Sequence, residues 1–265
     1  MKIIKYFIEY ILIKLLFFKF QILGYKTASN LGEKIGRRFG PIFRSKNKII
    51  NNLKDSNIGN SDEERNSIIN KMWGNYGRIL AEYNFLKKFK NGDYNNYLEI
   101  EGLEHLEKIK KNKKQVVFIS GHFNNFELMA MQIENFGIDV AAIYRPLNNI
   151  FLNKTMERIR IKNICNNQIK KGKGGTRKLI EMFKNGYSIA LMIDQRVSEG
   201  ISVKFFNRNC LTTTIPAQLV KKYGCDVVPV YVERINKINF KMYFYEPLNF
   251  EKSLSIFEIT TKLNN

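Results

Sequence analysis

Residues 115–135 read QVVFISGHFNNFELMAMQIEN. Gln115–Ser120 is a short apolar run with β-forming residues, and it stops at Gly121. Asn125–Asn135 then reads as helical. A strand running straight into a helix is half of a strand–helix–strand unit. The pattern recurs downstream. Val140–Tyr144, Ser188–Ile193 and Val227–Val232 are similar apolar runs, and helical stretches at Phe151–Asn163, Thr176–Asn185 and Ile215–Tyr223 separate them. The alternation predicts an α/β fold built on a mixed, largely parallel sheet. Phe240–Tyr245 alternates differently and reads as an antiparallel strand. No internal repeat interrupts this order.

Upstream the period is helical. Residues 27–54 read as a short basic helix, a turn near Pro41 and a second helix ending near Leu53. Ser61 with Glu64 is a capping-box signature for a helix that continues through Trp73 to about Phe89. Residues 99–111, beginning EGLEHLEKI, contain another short helix. The organisation expected is a segment 1–24, then one domain over 25–265, helical over 25–98 and α/β over 99–250.

Ile3–Leu23 is strongly apolar but is interrupted by Lys5, Glu9, Lys14, Lys19 and Gln21. A spanning helix wants about 20 predominantly apolar residues. Lys5 and Glu9 are an i,i+4 pair, and Lys14 and Lys19 can snorkel toward headgroups. The segment therefore reads as a membrane anchor or interfacial helix, with a buried N-terminal helix as the alternative. A cleaved signal peptide fits less well, because Lys14 sits inside the apolar run and no small-x-small site follows closely.

With 265 residues and 44% hydrophobic content the chain can bury a core, which excludes disorder over most of its length. Three cysteines, Cys165, Cys210 and Cys225, are an odd count without paired spacing, and with only two histidines they make no zinc site. Forty-four Lys and Arg against 24 Asp and Glu give a net charge of +20. That excess suits an anionic partner, and it also suits a chain rich in Lys, Asn and Ile through base composition. Basic and aromatic residues are dispersed along the sequence, which argues against nucleic acid.

In open α/β sheets function gathers at the carboxyl ends of the strands. Three segments stand there: Ser120–Glu127, Tyr144–Asn149 and Asp194–Arg196. The first holds His122, with Glu127 five positions on. With His122 in the turn and Glu127 in the first helical turn, the two can converge. A carboxylate on one imidazole nitrogen fixes the tautomer and leaves the other nitrogen free as a base. No serine or cysteine stands where a nucleophile elbow needs one, so such a pair would activate a hydroxyl on a substrate. The plainer alternative is a histidine at a strand end, with Glu127 favouring the helix dipole. Arg145 suits a carboxylate or phosphate, or an ion pair with a carboxylate such as Asp194. Asp194 could also pair with Arg196. His105 reads as a solvated helix residue. Gly172–Thr176 superficially suggests phosphate binding but lacks G-x-x-x-x-G-K-[ST] and a preceding strand, so no nucleotide loop is expected.

Taken in order, SGHFNNFE (120–127), IYRPLNN (143–149), KGKGGTRKL to FKNGYSIALMIDQR (171–196) and residues 200–234 resemble the bacterial lipid A biosynthesis acyltransferases. These are lauroyl/myristoyl-type enzymes within the lysophospholipid acyltransferase group that carries H-x4-D/E. The likeness covers about residues 30–245. It departs at Asn124 and Phe126, where the family often has Gly and Trp. It departs also at Asn265, where the chain stops without the family's usual C-terminal helical segment with Trp, His and Arg, so a fragment, a shortened homologue or a differently completed chain is the expectation.

The resemblance implies a glycerolipid-acyltransferase-like αβα layered fold. It implies transfer of a fatty acyl chain from acyl carrier protein, or coenzyme A, to a hydroxyl of a phosphorylated glycolipid, the lipid A precursor. Another lysophospholipid or glycolipid acceptor, or a non-enzymatic basic protein, is the alternative. In the implied mechanism His122 is the general base and Glu127 orients it. Arg145, Arg177, Asp194 and Gln195 bind substrate. No metal or other cofactor is required. The implied place is the cytoplasmic face of the bacterial inner membrane.

Overall fold

The structure, a computed structural model, describes residues 2–206 and 208–265. The chain forms two compact units: Met1–Tyr10 with Leu86–Val203 and Asn209–Asn265, and Ile11–Phe85 with Lys204–Arg208.

The second unit is helical. Helix α1, Lys2–Phe39, enters it from Ile11 onward and is broken at Gly24, whose backbone is non-helical. A 3-10 turn, Gly40–Ile42, leads to α2, Lys46–Asp55, and α3, Asp62–Glu82. Ser61 accepts from the Glu64 amide, as its capping signature requires, and the Glu64 carboxylate accepts in return from the amide of Asn60. Helices α1 and α3 cross at glycines: a Cβ on Gly77 would lie 2.0 Å from the Gly32 carbonyl oxygen, so no larger residue permits this approach. Beside the crossing, Arg78 donates to Ser29, Ser29 donates to Glu82, and Arg78 pairs with Glu33. Buried charge is tolerable only when held by such partners.

The first unit holds the sheet. Helix α4, Leu86–Lys90, precedes β1, Leu98–Glu101, and α5, Leu103–Asn112. Then come β2 (Val117–Ser120), α6 (Glu127–Asn135), β3 (Val140–Tyr144), α7 (Ile150–Asn163), β4 (Asn167–Lys170), α8 (Lys173–Lys184) and β5 (Ser188–Met192). After a two-stranded ribbon, β6 (Ile201–Phe205) and β7 (Arg208–Thr212), follow α9 (Ile215–Tyr223), β8 (Val227–Ile235), β9 (Asn239–Phe244) and α10 (Ile256–Asn264). The seven-stranded sheet has the order β1-β9-β8-β2-β5-β3-β4; its β8–β9 pair is antiparallel and its other pairs are parallel.

The mixed, largely parallel sheet is thus as the sequence predicts. One face buries Val117, Ile119, Ile189, Leu191 and Val227 with residues of α8, α9 and α10. The alternate residues Phe118, Val140, Ala190, Val228 and Val230 are equally buried, as both faces of a parallel sheet must be. Four elements escape the sequence reading: β1, β4, the β6–β7 ribbon and α10. Because β4 does precede Gly172, the expectation of no strand there is corrected. The absent phosphate-loop motif still separates that turn from a nucleotide site.

Candidate active site

Register places the site. In the parallel pair of β2 and β5, Ser120 lies opposite Met192, and the Ile193 amide extends the ladder to the Ser120 carbonyl. Two residues beyond each of these opposed positions stand His122 and Asp194, side by side. Nδ1 of His122 is 2.7 Å from Oδ1 of Asp194, and the His122 amide donates to Oδ2 at 2.9 Å. One carboxylate therefore grips both the ring and the backbone of His122. Gly121 leaves room for this: a Cβ there would press on the Phe123 ring at 2.9 Å and approach Asp194 Oδ2 at 3.4 Å.

The turn that carries His122 is fixed on its far side. Asn124 has a left-handed backbone (φ 46°), which Asn tolerates better than most non-glycine residues, and its side chain donates to the Val232 carbonyl at 2.9 Å. That accounts for Asn at a position where glycine would be the simpler choice. The Phe126 ring meets the His122 ring edge-on, with centroids 4.7 Å apart. The carboxamide nitrogen of Gln195 stands 3.3 Å from Nε2 of His122.

Glu127 does not orient His122, and that expectation is corrected. Its Oε1 accepts from Nε of Arg160 at 3.0 Å and from Nη2 at 2.8 Å. The first residue of α6 points its side chain toward α7, whereas the strand-end acid reaches the imidazole because β5 runs next to β2. Arg160 also lies over the Tyr144 ring, 5.5 Å from its centroid, and Tyr144 donates to Glu157, which pairs with Lys170. Nothing in the sequence flags Arg160, a basic residue within a helix like several others.

The electrostatics separate the two acids. Burial pushes the Asp194 carboxyl up, but hydrogen bonds from the ring and backbone of His122 outweigh it and hold the pKa below the ordinary value. Its stabilising contribution is therefore present above the ordinary carboxylate range and is lost as pH falls through the depressed value. For Glu127 burial is the larger effect and raises the pKa, with the Arg160 guanidinium pulling it back. Burial first, then the hydrogen bond to Glu157, pushes the Tyr144 hydroxyl well above its usual range.

His122, Glu127, Arg145, Arg160 and Gln195 all line one cavity of about 510 Å3. Its walls include Met129, Ala130, Ala142, Ile164, Ala190 and Leu191. This combination of apolar walls and a few convergent polar groups is that of a small-molecule site. Arg145 is exposed at the cavity, one residue past β3, without an ion-pair partner among the described residues. The alternative pairings of Asp194 with Arg145 or Arg196 are not formed. Arg177 is exposed on α8 and does not line the cavity, so its expected place in substrate binding is not supported. His105 lies on α5 beside Glu104 at 3.6 Å, also outside the lining. The three cysteines are free thiols. Among the described residues no cluster of His, Cys, Asp and Glu could hold a metal ion.

A family model described as bacterial lipid A biosynthesis acyltransferase matches residues 1–265. The chain is 24% identical over 216 residues to the lipid A biosynthesis palmitoleoyltransferase of Escherichia coli (strain K12), covering 80% of this chain and 69% of that one. A lipid A biosynthesis acyltransferase of Shigella flexneri matches to the same extent. Among solved structures, a 1-acyl-sn-glycerophosphate acyltransferase from Thermotoga maritima aligns with 98% of this chain and 96% of its own, at a TM-score of 0.41 and 14% identity.

Proposed function

The chain belongs to the bacterial lipid A biosynthesis acyltransferase family, and from that premise we propose that His122 is the general base of an acyl transfer onto a phosphorylated lipid A precursor. The donor in this reading is an acylated acyl carrier protein. One observation carries the reading: an imidazole gripped by a carboxylate in the lining of a largely apolar cavity.

The steps balance without an acyl-enzyme. Nε2 of His122 takes the proton of the acceptor hydroxyl, and the oxygen attacks the thioester carbonyl. The C–O bond forms, the C–S bond breaks, and the imidazolium returns its proton to the departing thiolate. Asp194 stabilises the imidazolium, as the acid of a histidine dyad does. A positioned base contributes about 10²–10⁴-fold. The cavity receives the acyl chain; at about 0.8 kcal/mol per buried CH₂, a chain of about twelve carbons supplies roughly 10 kcal/mol of binding. Glu127 and Arg160 form a wall of the same cavity.

The test is an acyl-transfer assay with acyl carrier protein thioester and a phosphorylated lipid A precursor. Asp194→Asn keeps the shape beside Nδ1 and removes the charge, so kcat should fall by about 10²–10⁴-fold. An Asp194→Asn protein with near-normal kcat would remove Asp194 from the mechanism.

Arg145 is assigned to a phosphate of acceptor or donor. Its guanidinium offers a fork of donors that lysine lacks. Arg145→Lys should raise KM by about three- to tenfold, more than it lowers kcat. Steady-state kinetics with each substrate varied check this, and unchanged KM values for both would refute the assignment.

We place the enzyme on the cytoplasmic face of the inner membrane. No helix among the described residues is long and apolar enough to cross a membrane. Helix α1 nevertheless exposes Ile4, Ile8, Ile11, Leu15, Phe18 and Ile22 at alternating spacings of four and three, and the chain carries +20 for an anionic surface. Ile8 is 54% exposed and Leu15 62%, so replacing them should not disturb the core. Ile8→Glu with Leu15→Glu should weaken binding to anionic vesicles by about tenfold or more. Undiminished co-sedimentation of that variant would put the membrane contact elsewhere.

A further inference from the structure

The nitrogen of His122 that transfer needs is already occupied in the resting protein. Nδ1 faces a carboxylate, which only accepts, so in the neutral ring the proton sits on Nδ1 and Nε2 carries the lone pair. At that lone pair stands the carboxamide nitrogen of Gln195, at 3.3 Å. An amide N–H on an imidazole lone pair satisfies both groups. The dipeptide Asp194-Gln195 thus holds both ring nitrogens of one histidine. Gln195 is exposed and makes no other side-chain hydrogen bond among the described residues, so packing does not explain its placement.

The chemistry supplies a reason for such an arrangement. The His122 side chain is 27% exposed, so water reaches it. A base that takes a proton from a sugar hydroxyl takes one from water too. Water then attacks the thioester carbonyl, the C–S bond breaks, the imidazolium returns the proton to the thiolate, and a free fatty acid replaces the acylated acceptor.

We propose that Gln195 is a positioning residue that occupies Nε2 until the acceptor hydroxyl displaces it, and thereby limits loss of acyl groups to water. This rests on the acyl-transfer reading above. Exchanging one neutral hydrogen bond for another costs little. The acceptor hydroxyl is delivered by binding energy from the rest of its molecule, which water lacks. Water must instead compete with an amide held in place by the chain.

Gln195→Ala decides the matter with acyl carrier protein thioester as the probe, in the presence of a phosphorylated glycolipid acceptor. Free fatty acid per thiol released should rise by about five- to tenfold, the equilibrium worth of one neutral hydrogen bond. An unchanged ratio in a variant that still transfers overturns the proposal, and so does parallel loss of both reactions. Gln195→Glu adds a readout that a structural role would not move. A carboxylate cannot donate to a lone pair and instead holds a proton on Nε2, so the acid limb of the transfer profile should shift to higher pH.

A second measurement does not depend on activity. Diethyl pyrocarbonate should modify His122 about five- to tenfold faster in Gln195→Ala than in wild type, with His105 as the internal reference. Equal rates overturn the shielding even if the enzyme transfers. Shielding in a wild type that acylates no acceptor would instead overturn the acyl-transfer reading.

Discussion

Replacing His122 by alanine should leave a folded protein whose acyl transfer is lower by about 10²–10⁴-fold, the contribution of a positioned general base. The side chain lines the cavity and is 27% exposed. Among the described residues it meets the Asp194 carboxylate, the Gln195 amide and the Phe126 ring. None belongs to the apolar core, so removal opens little buried space. Asp194 keeps its second bond, from the backbone amide at residue 122, which does not depend on the side chain. Thermal unfolding should therefore stay near that of the wild type while kcat collapses. KM should change less than kcat, because the imidazole acts on the transferred proton and does not anchor the acyl chain or the acceptor's phosphates. Retention of most activity by a folded His122→Ala protein would end the assignment of this residue as the base.

Arg160→Ala should produce the largest loss of stability, about 3–5 kcal/mol, the usual result of stripping one partner from a buried ion pair. The side chains of Glu127 and Arg160 are 10% and 13% exposed. Without the guanidinium, a buried carboxylate whose pKa burial already raises would lose the charge that pulls it back. The sign of the pH dependence follows from that raised pKa. A group that binds its proton more tightly when folded stabilises the fold at low pH, and that contribution is lost as pH rises. The loss in Arg160→Ala should accordingly be smaller at pH 5.5 than at pH 7.5 in urea denaturation. Combining it with Glu127→Gln removes the charge and should recover part of the stability. A double variant no more stable than Arg160→Ala alone would show that the buried charge is not the cause.

The two predictions draw on different kinds of information. His122 is legible in the sequence because a strand end can be seen in QVVFISG and a histidine follows it. Arg160 is not, since an arginine in Ile150–Asn163 looks no different from Arg158 or Lys162 until α7 is set against α6. The weak strands β1 and β4 are invisible for a related reason. Leu98–Glu101 and Asn167–Lys170 are short, polar edge strands at the two ends of the sheet, without the continuous apolar run that marks a strand buried on both faces.

Local and periodic features are legible in the chain alone: the alternation of apolar strands and amphipathic helices, the capped start of α3, and the placing of His122, Arg145 and Asp194 just past strand ends. Those features depend on residues a few positions apart, whose period and turn chemistry the chain carries openly. Which acid serves which base was decided only in three dimensions. H-x4-E spacing pointed to Glu127, five residues from His122, yet the carboxylate on the imidazole is Asp194, 72 residues away. The reason is strand order. Residues two past the ends of neighbouring parallel strands meet whatever their separation in sequence, and only the sheet's order, β2 beside β5, makes His122 and Asp194 neighbours.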